Sequence, residues 1–279
     1  MKRKGREGLL RRLGRSPSGA AGLAILGFWL VVVAVSQVWT PHPPTQFHMT
    51  HRLEAPSPQF PFGTDKFGRD VLARVMAGSG GVIGMALAGT LLAVLLGAAV
   101  GLASGYFGGA PDELAMRLMD ILMSFPALLL ALLVLGMMGP GLLNVVLVIG
   151  VVFAPRVARG ARDADIETMP EEIVEAARAR GERAFHIMVV EILPNTLGPL
   201  GVEFSVRFAY AIFLSASLGF LGLGVQPPSP DWGLMVSEGR DFITMAPWIV
   251  FFPALAIASL VVGVNLLADA VRALAAGEV

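Results

Sequence analysis

The chain has 279 residues, of which 55% are hydrophobic and 15% are charged, well below the charged fraction of roughly a quarter that is usual in soluble domains. It contains no cysteine, which excludes a disulfide framework, thiolate metal ligands and cysteine lipidation. The formal net charge is zero, yet seven of the first fifteen residues are basic. A basic end followed by an apolar run is typical of a membrane protein rather than of a nucleic-acid-binding one, so we expect a chain that crosses the bilayer several times.

The amino-terminal part divides into three predicted segments. Residues 1–19 form a basic amphipathic segment on the cytoplasmic side, and the uncharged run at 20–39 is long enough for a first transmembrane helix. The sequence AVS at 34–36 resembles a signal-peptidase site, but the run is longer than a usual signal core and further apolar spans follow it. Residues 40–79 are predicted to be an extracytoplasmic loop.

Five further apolar runs are predicted to cross the membrane. The uncharged stretch between Asp120 and Arg156 is too long for one crossing at about 1.5 Å per residue, and GMMGPG at 136–141 divides it by a turn. The predicted spans are 81–105, 114–135, 142–158, 197–221 and 245–267. With the first helix they make an all-α integral membrane protein with six transmembrane helices and both termini on one side.

Basic residues decide which side that is. With the amino terminus inside, the inner segments hold fifteen Lys and Arg residues and the outer segments hold five, while Arg207 lies within the fifth span. Because short cytoplasmic loops carry the excess of basic residues, both termini are predicted to be cytoplasmic. The loop at 159–196 is then the largest inner feature, and residues 272–279 form a cytoplasmic tail.

The inner loop is predicted to contain a short helix. Thr168 and Glu171 have the spacing of a capping box, Pro170 suits the first helical turn, and Gly181 allows the chain to leave the helix. One face is small and apolar, with Ile173, Ala176, Ala177 and Arg180 at helical spacing. Such a face suits docking into a groove of a partner, although an amphipathic connector lying on the bilayer surface has the same periodicity.

This loop also resembles a known motif. Its Glu-Ala-Ala triplet, the glycine after three further residues and a later Leu-Pro pair are similar to the EAA motif of ABC importer permeases. In that family the loop is a coupling helix that fits a groove on the cytoplasmic ATPase subunit. The resemblance assigns this role to Glu175, Ala176, Ala177, Arg178, Gly181, Leu193 and Pro194. One departure is Glu191, which stands where the motif has isoleucine, with Ile192 beside it.

A second stretch indicates which group of ABC importer permeases the chain resembles. Residues 62–72 read FGTDKFGRDVL and resemble the FGTD-x-x-GRD-x-L signature of dipeptide and oligopeptide permeases, specifically of their C-type subunit. Further segments match the same group in order: 105–109, 116–126, 220–233 and 265–269. The chain is thus identified as a C-type member of the dipeptide, oligopeptide and nickel group of ABC importer permeases, and the resemblance implies a type I permease core at 80–271.

The outer signature has two interpretations. Its glycines and charges either cap and turn a short interfacial helix, or contact the binding protein or a partner subunit. The residues concerned are Gly63, Asp65, Gly68, Arg69 and Asp70. In the second outer loop, Trp232 is interpreted as an anchor at the membrane interface.

The resemblance implies several partners. They are a homologous B-type permease subunit, two cytoplasmic ATPase subunits, an extracytoplasmic solute-binding protein and membrane lipid, with neither a nucleic acid nor a cofactor. The sequence has no GxxxxGK[ST] loop and contains Lys2, Lys4 and Lys66 as its only lysines, so it is predicted not to be an enzyme and to receive energy from the ATPases. Its predicted location is the cytoplasmic (inner) membrane of a prokaryote. The pattern is shared by permeases for dipeptides, longer peptides, nickel chelates, glutathione and opines.

Two groups of polar residues lie outside the motifs described above. Glu203 and Arg207 lie four residues apart in the fifth span, and intramembrane charges are candidates for a solute cavity, although pairing with each other near the cytoplasmic end explains them equally. His42, His48 and His51 in the first outer loop suggest metal binding, but histidines in a proline-rich, mobile loop are more often solvated. No metal site is therefore predicted.

Two other classes of protein explain the sequence less well than an importer subunit does. A secondary carrier driven by an ion gradient needs carboxylates at mid-membrane, which the second, third and fourth predicted spans lack near their centres. It would also leave the projecting inner loop without a role. A scaffold protein would explain neither that loop nor the glycine-rich spans.

Overall fold

A computed structural model of the chain describes residues 13–14, 16–168 and 171–275, with the side chains of 166–168 and 171–173 left out. Most of the predicted basic segment 1–19 and the end of the predicted tail 272–279 therefore lie outside the described residues. So do Pro170 and the side chains of the predicted capping box at Thr168 and Glu171.

Nearly all regular structure in the described part is helical. The helices are α1 Pro17–Ser36, α2 Val71–Phe107, α3 Gly109–Ser124, α4 Ala127–Met138, α5 Leu142–Thr168, α6 Glu171–Ala179, α7 Leu193–Phe220, α8 Trp232–Gly239 and α9 Trp248–Ala275. A turn of α-helix at Ala184–His186 and a π-helical segment at Ile187–Ile192 lead directly into α7, and short 3₁₀ turns lie at Met49–His51 and Arg240–Phe242.

The predicted fold class is confirmed. In the part of the chain that the structure describes, five helical segments are long and apolar enough to cross a membrane, and a bent pair makes a sixth if it is counted as one span. Helices are expected here, because a backbone in lipid must satisfy its own polar groups.

Helix α2 is much longer than the predicted second span. It begins at Val71, within the predicted outer loop 40–79, because the Asp70 carboxylate accepts hydrogen bonds from the N–H groups of Leu72 at 2.8 Å and Ala73 at 3.3 Å. Its 37 residues extend over about 55 Å, so the helix projects beyond a hydrocarbon core of about 30 Å. The prediction placed the start of this helix too far along the chain, because it assigned the charged Arg74 to the outer loop. In the structure, Arg74 is buried within the first turn of the helix.

The predicted third span, 114–135, is not a single straight helix. Helices α3 and α4 meet at a bend of 92°. Phe125 between them is extended, with φ −85° and ψ 138°, which is the conformation that a following proline, here Pro126, imposes. Helix α4 has 12 residues and spans about 18 Å, which is shorter than the hydrocarbon core.

Helix α3 lies against the end of α5, where two ion pairs join them. Arg162 of α5 donates through Nε to Asp112 of α3 at 2.6 Å, and Arg159 pairs with Asp120. The predicted inner loop 159–196 therefore begins with the last three turns of α5, continues through α6, and ends within the helical segment that becomes α7.

The centre of the bundle is the pair α2 and α5, with α7 against both of them. A Cβ at Gly97 of α2 would lie 2.5 Å from the Cβ of Val157, and one at Gly101 would lie 2.7 Å from the Cβ of Ala161. Close approach of this kind is how helices gain packing energy in lipid, where the hydrophobic effect does not drive them together. Helix α9 then packs on α7 and on α1.

Trp232 is not an interfacial anchor, in contrast to its sequence interpretation. The side chain is fully buried, its Nε1 donates to the carbonyl of Val75 at 2.8 Å, and its ring lies 4.7 Å from that of Trp29. The preceding Asp231 caps α8 by accepting from the N–H of Leu234 at 2.9 Å. Burial raises the pKa of Asp231, and the backbone hydrogen bonds to the carboxylate oppose this rise.

We expect Trp232→Ala to destabilise the folded permease by about 3–5 kcal/mol, since it removes a large side chain from a closed core. Trp232→Phe keeps most of the volume and should cost about 1 kcal/mol for the lost hydrogen bond. Thermal unfolding of the purified protein in detergent measures both. Trp39, an exposed tryptophan, supplies the control, and an equal loss of stability in Trp39→Ala would contradict the assignment of Trp232 to the core.

Candidate functional site

The short helix α6 ends as the sequence predicts, at a left-handed glycine. Gly181 has φ +77°, its N–H donates to the carbonyl of Arg178 at 2.9 Å, and the N–H of Glu182 donates to the carbonyl of Ala177 at 3.3 Å. These two bonds form a Schellman motif, which closes the end of a helix and turns the chain sharply. Gly181 therefore sets the angle at which α6 stands relative to the segment that follows.

The residues of the EAA motif divide between two faces of α6. Ala177 is fully buried and packs with Leu102 of α2 and with Ile187 and Ile192 of the segment before α7. Glu175 and Ala176 are exposed on the other side. The helix thus packs Ala177 and the half-buried Val174 against the bundle and leaves Glu175 exposed.

Arg178 attaches α6 to the end of α2. Its Nη2 donates to the backbone carbonyl of Tyr106 at 3.0 Å, and its guanidinium carbon lies 4.6 Å from the centroid of the Tyr106 ring. A guanidinium over an aromatic face is attracted by the ring quadrupole. Both contacts involve one residue of α2, so α6 is attached to the end of that helix at Tyr106.

Arg180 joins the turn to the segment that leads into α7. Its Nε donates to Glu182 at 2.7 Å and its Nη2 to Glu191 at 3.3 Å, and the bond to Glu182 raises the pKa of the already cationic Arg180. Glu191 is the residue that departs from the motif, so in this chain an ion pair occupies a place that the motif gives to an apolar contact.

The Leu-Pro pair of the motif lies at the first turn of α7. Leu193 is half-buried and packs against two apolar clusters, one around Ala177 and one around Val157. Pro194 is exposed and lies just after the π-helical segment Ile187–Ile192, where it cannot donate a backbone hydrogen bond to the preceding turn. The structure therefore brings both halves of the EAA motif to one end of the bundle, which we call the coupling end.

The outer signature folds into a buried turn at the opposite end. Asp65 accepts from the N–H of Arg69 at 3.0 Å and from its Nε at 2.6 Å. Arg69 in turn donates through Nη2 to Glu238 of α8 at 3.0 Å. Asp70 caps α2, as described above, so the charges of the signature do not cap a short interfacial helix. They join the first loop to α2 and α8.

The signature glycines are required by the backbone. Gly68 has φ +74°, and a Cβ there would lie 1.9 Å from the carbonyl oxygen of His48. Gly63 is similar, with φ +71° and a Cβ position 2.6 Å from the carbonyl oxygen of Glu54 and from the indole nitrogen of Trp248. Only glycine combines this conformation with so close an approach.

The three histidines of the first loop surround Phe60 rather than a metal ion. Their ring centroids lie 4.8 Å (His42), 5.7 Å (His48) and 5.5 Å (His51) from that of the fully buried phenylalanine. His42 also contacts Asp70, with Nδ1 2.8 Å from the carboxylate. Among the residues that the structure describes, no group of three or more His, Cys, Asp or Glu side chains is arranged to hold a metal ion. The loop therefore has a packed centre at Phe60, around which the three histidines are half-buried.

Glu203 and Arg207 of α7 contact each other. Arg207 Nε lies 3.0 Å from Glu203 Oε2, and its guanidinium carbon lies 5.7 Å from the centroid of the Tyr210 ring. Glu203 faces Gly160 of α5, whose Cβ position is 3.2 Å from Glu203 Cγ. The pair therefore lies between α7 and α5, in the half of α5 that leads to the coupling end.

A large apolar cavity lies next to this pair. It has a volume of about 690 Å³ and is lined by α2, by the segment that leads into α7 and by the first turns of α7. Its lining comprises residues within 94–103 and 185–204 and includes Gly201 and Phe204 but neither Glu203 nor Arg207.

Sequence reasoning did not identify Tyr106, Arg74 or Glu238 as parts of these sites. Tyr106 stands in a segment that was matched to the family without a role, and Glu238 stands in a loop with few other charges. The sequence did contain a signal for Arg74. It lies four residues after Asp70 and therefore on the same face of a helix that starts at the signature.

The architecture is that of a membrane transport permease: a bundle of apolar helices with a short, anchored helix at one end. Residues 93–276 match the family described as binding-protein-dependent transport system inner membrane component, and the chain belongs to that family. It is a multi-pass inner-membrane permease of a bacterial ABC transporter. The family resemblance seen in the sequence is confirmed.

Relatives and a solved structure agree with this assignment. The chain is 36% identical to the dipeptide transport system permease protein DppC of Alkalihalophilus pseudofirmus, over 94% of this chain and 86% of the relative. It is 36% identical to the di/tripeptide transport system permease protein DppC of Pseudomonas aeruginosa, over 91% and 86%. A chain of the MetNI methionine ABC transporter in an inward-facing conformation is 20% identical, with a TM-score of 0.58 over 72% of this chain and 95% of that one, and shows the type I importer permease fold.

Gly181 and Gly68 both have a positive φ, but they differ in the space available for a Cβ, and substitution by alanine tests this difference. Gly181→Ala should cost about 1–2 kcal/mol, the expense of a left-handed alanine, because no atom lies within 4 Å of the added Cβ. Gly68→Ala should cost that amount and about 1–3 kcal/mol more, since its Cβ overlaps a backbone oxygen. Thermal unfolding of the two purified variants measures the order, and equal melting temperatures would contradict the packed turn at Gly68.

Proposed function

We propose that the chain is the C-type subunit of a peptide importer, which moves peptides or related small solutes across the inner membrane while separate ATPase subunits hydrolyse ATP. The observation that carries the proposal is the division of α6, with Glu175 and Ala176 outward and Ala177 buried. The printed names of the relatives, dipeptide and di/tripeptide transport permeases, support a peptide as the solute.

The coupling step follows from the contacts at the base of α6. Ala177 packs against α2 and the segment before α7, Arg178 binds Tyr106, and Arg180 binds Glu191. A helix held at so many points moves as a rigid body with its neighbours. Closure of the ATPase subunits against Glu175 and Ala176 would therefore shift α2 and α7 together and change the side to which the solute pathway opens.

The remaining partners follow from the same proposal. A homologous B-type permease subunit forms the other half of the pathway, two ATPase subunits dock at the coupling end, and a solute-binding protein delivers the solute at the opposite end. Membrane lipid surrounds the bundle, and no nucleic acid takes part. The chain has no phosphate-binding loop of the GxxxxGK[ST] type, which supports hydrolysis in separate subunits.

We expect Glu175→Lys to lower uptake about tenfold, the effect of roughly 1.4 kcal/mol of lost coupling free energy. The substitution reverses a charge on the face offered to the ATPase and leaves the buried face intact. Gly181→Pro should have an equal or larger effect, because proline cannot adopt the positive φ and lacks the N–H that binds Arg178. Solute-stimulated ATP hydrolysis and uptake by the reconstituted complex are the measurements.

A matched control is Glu113→Lys. Glu113 is an exposed glutamate of α3 that pairs with Arg117, so the same charge reversal away from α6 should leave uptake and ATP hydrolysis unchanged. Native solute-stimulated hydrolysis in the Glu175→Lys complex, with normal membrane insertion, would refute the coupling role. Uptake that follows the ion gradient rather than ATP would instead favour a secondary carrier.

We further propose that Glu203 and Arg207 join α7 to α5 and do not hold the solute. They contact each other at 3.0 Å, Glu203 lies against Gly160 of α5, and the large cavity is lined by other residues. Removing one partner leaves a half-buried charge without its counterion. This should lower the free energy of unfolding more than removing both partners does.

A double-mutant cycle tests this role. We expect Arg207→Leu to reduce the yield of folded permease, and Glu203→Gln with Arg207→Leu to restore part of it, with a coupling energy of about 0.5–3 kcal/mol. Thermal unfolding and uptake are measured on each variant. Loss of uptake in all variants with native stability would show instead that the pair contacts the solute.

A further inference from the structure

The first outer loop carries exposed apolar and basic side chains at the end of the molecule where α2 begins. Phe47 is 56% exposed and Met49 is 62% exposed, and the exposed Arg52 follows them. The half-buried Lys66 and Phe67 of the signature lie beside this segment. We call these five residues the Phe47 surface.

Contacts between the two segments hold this surface together. The rings of Phe47 and Phe67 meet edge to face, with centroids 5.7 Å apart. Arg52 donates through Nε to the backbone carbonyl of Lys66 at 2.7 Å, and the Lys66 ammonium lies 5.1 Å from the centroid of Phe67. The guanidinium carbon of the buried Arg69 lies 4.8 Å from the same ring centroid. The surface therefore rests on the ion-paired turn that precedes α2.

The Phe47 surface lies outside the hydrocarbon core. Helix α1 has 20 residues, about 30 Å at the helical rise, which is the thickness of that core. Just beyond its outer end, Gln37 Nε2 lies 3.9 Å from the Cβ position of Gly80 in α2. Helix α2 begins at Val71, about 14 Å before Gly80, whereas the headgroup layer covers only about 5–8 Å on each side of the core. The exposed apolar side chains at this height therefore meet water and not lipid.

The residue types of this surface are those of protein–protein interfaces, in which aromatic residues, methionine and arginine are enriched. Its exposed cation is Arg52, and in the described part of the chain no carboxylate lies within 4.0 Å of the Arg52 guanidinium. The nearby carboxylates have partners of their own, since Glu54 contacts His51 and Glu238 pairs with Arg69. A complementary partner would offer an apolar spot bordered by a carboxylate.

We propose that the Phe47 surface is a docking site for the extracytoplasmic solute-binding protein of the importer, an assignment that rests on the proposed function. The family to which the chain belongs is described as binding-protein-dependent. The surface lies at the opposite end of α2 from α6, which is the end where a protein outside the cell membrane would arrive. Apolar side chains of the partner would cover Phe47 and Met49, and its carboxylate would pair with Arg52.

Docking at this surface would act directly on the longest helix of the bundle. Arg69, which lies against Phe67, pairs with Asp65 at 2.6 Å, and the next residue, Asp70, caps α2. The other end of α2 receives Arg178 at Tyr106. A protein bound at the Phe47 surface would therefore contact the same stiff helix that holds α6.

The first experiment uses the absence of cysteine from this chain. Met49→Cys places one thiol on the Phe47 surface, and its labelling by a hydrophilic maleimide is measured on this chain in the assembled transporter in lipid nanodiscs. We expect the solute-loaded binding protein to slow this labelling. Glu113→Cys, on the exposed face of α3, is the matched control and should be labelled at the same rate with and without the binding protein.

Two results of this experiment would overturn the docking site. One is equal labelling of Met49→Cys with and without the loaded binding protein. The other is labelling that is already slow in the assembled transporter alone, which would show that lipid or the second permease subunit covers the surface.

Variants of the surface measure the affinity. Phe47→Asp and Arg52→Glu should each raise the concentration of binding protein that half-maximally stimulates ATP hydrolysis by about tenfold, which corresponds to about 1.4 kcal/mol of docking free energy. Met49→Asp changes the same surface without altering the contact between the two rings, and it carries the test if thermal unfolding shows that Phe47→Asp does not fold.

Arg240→Glu is the control for charge. It makes the same reversal at an exposed arginine of the second outer loop, which pairs with Asp241, and should leave the half-maximal concentration unchanged. Equal shifts in Arg52→Glu and Arg240→Glu would show a general effect of charge on the outer face and would refute a specific site.

Failure of the docking site and failure of the proposed function give different results. A native complex that the loaded binding protein does not stimulate, and that shows no ATP-driven uptake, would refute the importer function and the docking site with it. Normal stimulation of the native complex, with unchanged half-maximal concentrations in Phe47→Asp, Met49→Asp and Arg52→Glu, would refute the docking site alone.

Discussion

The rest of the structure depends on the unbroken length of α2 and on its close packing against α5. Over 37 residues, about 55 Å at the helical rise, it connects the end that carries the outer signature with the end that carries α6. Asp70 caps one end, and Tyr106 receives Arg178 at the other. Glycines along the middle let α5 approach closely, so the two ends are joined by one stiff helix and not by a chain of flexible contacts.

Charge is handled differently at the two ends. At the coupling end, the arginines of the loop bind groups of the same subunit, while Glu175 remains exposed. At the signature end, the charges are folded inward, and Asp65, Arg69 and Glu238 form a network closed to solvent on most sides. The first arrangement suits a surface that meets another protein, and the second holds three segments in one geometry.

Several features could be predicted because they depend on local chemistry. The apolar runs had to be helices, since a spanning segment must satisfy its own backbone. Gly181 marked the end of α6 because a left-handed residue there is nearly always glycine. The bend before α4 had a local cause in Pro126, but it was not predicted, because hydropathy alone cannot separate a straight span from a broken one.

Other features depended on residues far apart in the chain. Trp232 looked like an interfacial anchor, and only its contacts with Val75 and Trp29 make it part of the core. The sequence suggested that the histidines of the first loop are solvated, whereas in the structure their rings contact Phe60. Arg74 looked like a loop residue because a buried cation is unfavourable in isolation, and its position became reasonable once Asp65 and Glu238 lay nearby.

The sequence by itself determined the class of protein, the approximate number of spans, the family and the turn that ends α6. Each of these follows from composition, hydropathy or a glycine whose role is local. Tertiary structure decided where α2 begins, how the third apolar segment is broken, which face of α6 is buried, and which charges pair. Those outcomes depend on burial and on partners far apart in the chain, such as Arg69 and Glu238, which are 169 residues apart, and no local pattern records such partners.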